Sequence, residues 1–162
     1  MSRVIIDRDE LKGEVEVLRA QGKKIVFANG AFDLLHVGHV RFLEGAAREG
    51  DVLIVGVNTD ESIRKYKGPD RPLQPLEERM EIVAALAAVS IVTAFGETTA
   101  DEIIECIRPD VHAKGLDYTL DTLPEGPTLK RLGIRLACVG DEKSHSSTEL
   151  IERAANAAAN TI

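Results

Sequence analysis

Lys24-Ile25-Val26-Phe27-Ala28 runs into Asn29-Gly30-Ala31-Phe32-Asp33-Leu34-Leu35-His36-Val37-Gly38-His39, and the chain then continues through residues 40–48 with apolar side chains at three-to-four spacing. The first piece is too short for a helix and apolar enough to be buried on both faces, as a central parallel strand is. The last piece has the period of an amphipathic helix. A strand, a short connection and a helix are therefore expected in that order. Working outward, similar β-branched runs occur at residues 52–57, 89–93, 110–113 and 134–139. Helical spacing occupies residues 61–66, 76–87, 99–107 and 123–131, for example Leu76, Met80, Val83 and Ala87. Parallel strands need crossover connections, and helices satisfy that need. The alternation predicts an α/β fold: a Rossmann-like, doubly wound, five-stranded and mostly parallel sheet with helices on both faces. One domain is expected over residues 1–162, with a helical extension in 1–22, a catalytic core over 23–153 and a C-terminal helix near 147–160. Thr99 with Glu102 and Ser146 with Glu149 have the spacing of capping boxes at two helix starts.

The composition excludes several functions. A net charge of −7 disfavours binding to nucleic acid or an anionic membrane by bulk electrostatics, so any phosphate contact must come from a local cluster. No Trp and only two Tyr leave little to stack single-stranded bases on. Cys106 and Cys138 lack a second Cys or His at metal-ligand spacing, and read as buried thiols in a reducing compartment with no disulfide. Neither a signal-peptide core nor a run of roughly 18 apolar residues is present, which points by elimination to the cytoplasm.

In a doubly wound sheet, ligands sit at the carboxyl ends of strands near the switch point, which makes residues 29–39 the candidate site. This connection holds neither G-x-G-x-x-G nor G-x-x-x-x-G-K-[ST], so a dinucleotide dehydrogenase and a P-loop enzyme are disfavoured. His36 and His39 fall on one face if a helix begins near Val37. Gly38 between them would let a phosphate approach the helix N-terminus. A metal pair competes with this reading, but zinc would want further ligands, and His112 and His145 lie in distant segments. The stretch from Tyr66 to Pro75 contains Pro69, Pro72 and Pro75 and is expected to be a loop. Its Lys67 and Arg71, with Arg79 in the helix that follows, are either solvated surface charges or a cationic cluster beside the phosphate site.

The segment resembles the His-x-Gly-His signature of nucleotidyltransferases, and residues 29–39 are similar to the cytidylyltransferase-like branch. Val57-Asn58-Thr59-Asp60, Lys67-Gly68-Pro69, Pro75-Leu76-Glu77-Glu78-Arg79-Met80, Arg108-Pro109-Asp110 and Lys114-Gly115-Leu116-Asp117-Tyr118 follow in the expected order. Within the branch the likeness is to heptose 1-phosphate adenylyltransferases and extends over about residues 23–153. The resemblance implies transfer of AMP from ATP, as co-substrate, to a sugar 1-phosphate, giving ADP-sugar for lipopolysaccharide cores. It implies His36, His39, Lys67 and Arg79 as catalytic groups. It further implies nucleotide contacts from Asn29, Gly30, Ala31, Phe32, Gly38, Lys114, Gly115, Ser146, Ser147 and Thr148, and acceptor contacts from Asp33, Asn58, Asp60 and Arg71. Mg²⁺ would be carried by the triphosphate, without a protein metal site. A homodimer is implied, with no nucleic acid and no membrane as partner, and a separate kinase is expected to make the acceptor. The sequence departs from the group where Leu116 replaces a common Gly, and where Ser144-His145-Ser146-Ser147-Thr148 replaces Gly-x-Ser-Thr-Thr. A capping box would account for the latter segment equally well. CTP-dependent transfer to glycerol 3-phosphate and a non-catalytic nucleotide sensor remain open alternatives.

Overall fold

In the computed structural model, which describes residues 2–142 and 145–160, the apolar runs pair as six parallel strands. In chain order these are β1 (Arg3–Val4), β2 (Ile25–Gly30), β3 (Val52–Asn58), β4 (Ile91–Phe95), β5 (Val111–Lys114) and β6 (Arg135–Cys138), arranged β1-β4-β3-β2-β5-β6. The helices are α1 (Arg8–Ala20), α2 (Val37–Ala47), α3 (Asp60–Lys67), α4 (Leu76–Ala84), α5 (Asp101–Ile107), α6 (Gly126–Leu132) and α7 (Ser147–Ala159).

The period of two along each strand divides the core between two faces. Ile25 and Phe27 of β2, with Ile54 of β3, pack beneath Leu11 of α1, Ile103, Ile104 and Ile107 of α5, and Leu129 of α6. Val26 and Ala28, with Leu53 and Val55, pack beneath Leu43 and Ala46 of α2 and Met80 and Val83 of α4. Each fully buried aliphatic side chain stabilises the fold by roughly 1.5–3 kcal/mol. Strand order turns around at β2, where Ala28 pairs with Val55 on one side and Ala113 on the other. The two halves of the sheet diverge there, which opens a crevice above the carboxyl ends of β2 and β5.

The structure departs from the sequence expectation in several places. A sixth strand, β1, joins the edge of β4 through Arg3 N–H to Ser90 O at 3.0 Å and Ile5 N–H to Val92 O at 2.9 Å. Its two side chains are exposed, so it carries no hydrophobic period to read. The Thr99–Glu102 capping box does not form. Ala100 is the N-cap of α5 and its N–H donates to Glu125 Oε1 at 2.9 Å, a partner contributed by the start of α6. Cys138 is exposed because β6 is the outer strand of its half of the sheet, and Cys106 on α5 is half-buried.

Gly56 in β3 lies between two aromatic rings. A Cβ there would sit 2.8 Å from Phe27 Cζ and 3.2 Å from Phe95 Cδ1. Gly56→Ala is expected to destabilise the protein by about 1–3 kcal/mol through overpacking. Urea unfolding should show a lower midpoint at an unchanged slope.

Candidate active site

The chain leaves β2 through Asn29 and Gly30, turns at Phe32 with φ 48°, and enters α2 at His36, an N-cap in extended conformation. That turn stacks the His36 and His39 rings at 3.8 Å between centroids and 24° between planes. The His36 N–H approaches His39 Nδ1 at 3.4 Å, and Phe32 meets the His39 ring edge-on at 5.4 Å. Gly38 is required between them, since a Cβ would lie 2.9 Å from His36 Nδ1 and 3.3 Å from His145 Cβ. Both imidazoles, with Gly38, open onto a cleft of about 680 Å³.

Burial holds the imidazoles neutral. His39 is pushed down to about 4 by desolvation, helped by the charges of His36 and Lys67, and His36 is lowered by desolvation and then by His145. The amide end of α2 therefore faces the cleft beside two uncharged rings, and buried His36 Nδ1 has no hydrogen-bond partner. The start of α7 lies on the same bank. Ser147 Oγ donates to Leu34 O at 2.9 Å, just ahead of His36, and the His145 ring stands 6.2 Å from that of His36. Ser146 Oγ accepts the Glu149 N–H at 3.1 Å, so this residue is a cap as well as a cleft residue. Ser144 lies outside the described residues.

Of the residues singled out from sequence, Asn29, Gly30, Ala31, Phe32, Asn58 and Lys67 line the cleft at the ends of β2, β3 and α3, and Lys114 and Gly115 line it at the end of β5. Ser146, Ser147 and Thr148 line it from α7. Lys114 Nζ is 3.5 Å from Asn29 Oδ1 and 5.0 Å from the centre of the Tyr118 ring. Desolvation lowers the Lys114 ammonium below its ordinary range against the opposing pull of Glu125 and Asp117.

The structure places four residues elsewhere. Arg79, Asp33, Asp60 and Arg71 are absent from the cleft lining. Arg79 is completely buried, and its guanidinium donates to Asp60 Oδ1 at 2.6 Å, Ala31 O at 2.5 Å and Gln74 O at 2.9 Å. Asp33 accepts from Arg71 Nε at 2.6 Å, Leu73 N–H at 2.8 Å and Gln74 N–H at 3.0 Å. Burial works to raise the Asp33 carboxyl, but the Gln74 and Leu73 amides and the Arg71 guanidinium together hold it below its ordinary value. Buried charges need full pairing, and this need in Arg79 and Asp33 draws the partly exposed Asp60 and Arg71 into bracing the loop behind the site.

Sequence reasoning missed His145, Thr98, Phe95 and Glu125, which also line the cleft. None has local spacing that ties it to His36; only the fold brings them together. Among the described residues, no group of three or more His, Cys, Asp or Glu is arranged to hold a metal ion, and no helix is long and apolar enough to cross a membrane.

Residues 27–153 match the model of the cytidylyltransferase-like family. The chain is 45% identical over 146 residues to the bifunctional protein HldE of Syntrophotalea carbinolica, covering 90% of this chain and 30% of that protein. It is 46% identical over 142 residues to the HldE of Magnetococcus marinus, covering 88% and 29%. The chain thus spans about a third of the length of these relatives. Among solved structures, a lipopolysaccharide core biosynthesis protein from Thermoplasma volcanium superposes with a TM-score of 0.64 at 23% identity, covering 75% of this chain and all of that one, a likeness of fold.

Two outcomes follow from the geometry. Arg79→Met leaves Asp60, Ala31 O and Gln74 O without their donor and is expected to cost about 3–5 kcal/mol in unfolding free energy. A buried imidazole held neutral binds fewer protons than its unfolded counterpart between its folded value, about 4 for His39, and the ordinary 6.5. Stability therefore falls as pH drops from 6.5 toward 4. His112, pushed to about 3 by burial, contributes in the same direction, so denaturation curves of His39→Gln should show a shallower acid loss and not its disappearance.

Proposed function

Because the chain belongs to the cytidylyltransferase-like family, we propose that it is a nucleotidyltransferase that moves AMP from ATP to a sugar 1-phosphate, with heptose 1-phosphate the leading acceptor. The observation that carries this reading is the stacked His36–His39 pair at the N-terminus of α2, open to a cleft that the start of α7 also borders. Helix N-termini present unpaired N–H groups and positive dipole ends to anions. The two starts make a bank suited to a triphosphate, with Lys67 at its rim.

The reaction asks little covalent chemistry of the protein. The acceptor's phosphate oxygen is already anionic near neutral pH and attacks the α-phosphorus in line. As the new P–O bond forms, the bond to the β-phosphate oxygen breaks and pyrophosphate leaves with the electron pair. No general base and no enzyme-bound intermediate are needed, so positioning and charge stabilisation supply the catalysis. His36 and His39 hydrogen-bond the phosphate oxygens as charge builds there, and Lys67 and Lys114 supply positive charge. Mg²⁺ carried on triphosphate oxygens and water would neutralise charge there without calling on a cluster of protein carboxylates. The choice of heptose is supported by the resemblance to heptose 1-phosphate adenylyltransferases and by the identity to the HldE proteins.

Pyrophosphate release measured with ATP or CTP against heptose, hexose and glycerol phosphates tests the reading. ATP with heptose 1-phosphate is expected to turn over fastest. His39→Ala is expected to lower kcat roughly 10²–10³-fold, the usual effect of losing one donor to developing charge. Unchanged turnover at saturating ATP would take the histidine pair out of the mechanism. Preference for CTP and glycerol 3-phosphate would move the chain to the other branch, and nucleotide binding without turnover across the panel would make it a sensor.

A further inference from the structure

Glu125 lines the cleft but is only 5% exposed. One carboxylate oxygen, Oε1, accepts the Ala100 N–H at the start of α5; the other, Oε2, is buried and has no hydrogen-bond partner. A buried carboxylate oxygen without a donor is costly, and native structures rarely leave one unexplained.

The surroundings hold this group rigidly. Asp101, in the first turn of α5, accepts from Thr99 Oγ1 and from Thr128 Oγ1 of α6, each at 2.5 Å. With the Glu125–Ala100 bond, these contacts lock the starts of α5 and α6 together. Both helices pack on the sheet face that carries Phe27, whereas α2 packs on the opposite face, and the start of α7 is tied to the loop before α2. The cleft therefore has two banks, one formed by α2 and α7 and one by α5, α6 and the end of β4. In-line displacement places the attacking group on the side of the α-phosphorus opposite the leaving pyrophosphate. If the pyrophosphate occupies the α2 and α7 bank, the acceptor enters from the bank that carries Glu125.

Resting on the transfer proposed above, we infer that Glu125 Oε2 accepts a hydrogen bond from a hydroxyl of the acceptor sugar and so selects for it. The contact supplies the donor this oxygen lacks. A site built to hydrogen-bond a hydroxyl rejects analogues without it far more strongly than an apolar pocket rejects a change of size.

Glu125→Gln keeps an oxygen for the Ala100 N–H and replaces the free acceptor by an NH₂ donor. The wild-type chain and the variant are compared by pyrophosphate release with ATP and heptose 1-phosphate, with monodeoxy analogues of that acceptor, and with 2′-deoxy- and 3′-deoxy-ATP. Expected for the variant is a rise of roughly 10- to 100-fold in KM for the acceptor, the worth of one hydrogen bond to a charged group, with KM for ATP unchanged. One monodeoxy acceptor should lose a similar factor on the wild-type chain and little on the variant. If no monodeoxy acceptor is discriminated by the wild-type chain, the inference is overturned without reliance on any variant. It is overturned equally if both KM values stay put, or if the loss tracks a ribose hydroxyl. Absence of turnover by the wild-type chain with every nucleotide and acceptor refutes the transferase reading itself, and the inference falls with it.

Discussion

A guanidinium sealed from solvent stays charged at any pH a protein meets, so the fold that encloses Arg79 has to surround it with acceptors. Those acceptors come from three separate places: Asp60 at the first turn of α3, the Ala31 carbonyl just past β2, and the Gln74 carbonyl in the proline-rich loop. One side chain thereby joins the exits of two central strands to the loop before α4. The Asp33 carboxylate makes a second tie between the same regions through Arg71, Leu73 and Gln74. The residues facing the cleft from this side, Ala31, Asn58 and Lys67, sit beside or between these ties. Removing either partner of such a pair strands a buried charge, so the shape of this wall is guarded by more energy than its own contacts contain.

The proposed transfer carries an electrostatic difficulty, because an acidic protein would have to receive a polyanion in this cleft. Gathering permanent cations would make the empty site self-repelling. The structure offers helix ends and imidazoles that burial keeps uncharged, and among the described residues confines the lysines of the cleft wall to Lys67 and Lys114, whose ammonium groups desolvation lowers from their ordinary range. Such groups cost little to hold together when the cleft is empty. In the proposed complex a triphosphate would favour protonation of the imidazoles and pair directly with the two ammonium groups.

How much of this was legible in the sequence depends on the range of the interactions. The five long strands and the helices between them followed from hydrophobic period, which is a local property. The His36–His39 pair was legible for the same reason: helical spacing and one glycine bring the rings together within four residues. Lys67, Arg71 and Arg79 were legible as a group of cations and Asp33 and Asp60 as polar residues near the site, but the pairing of Arg79 with Asp60 and of Arg71 with Asp33 was not. Sequence shows that charges are near one another, but not which of them face solvent and which must be paired in the interior. β1 was missed because its pairing rests on the backbone edge of β4. The Thr99–Glu102 box was displaced because Glu125, from a different helix, supplies the cap at Ala100.

That contrast separates the two halves of the proposed reaction. The bank that would hold the triphosphate is built from helix starts and a short motif, so the chemistry can be read from a few neighbouring residues. The facing bank is assembled from the end of β4, the start of α5 and the residue before α6, held by Thr99, Asp101, Thr128 and Glu125 across 29 positions of chain. No local period marks such a surface in the sequence. On the proposed reading, nucleotide chemistry would be legible in the motif, while selection among phosphorylated acceptors would rest on long-range contacts that only folding brings together.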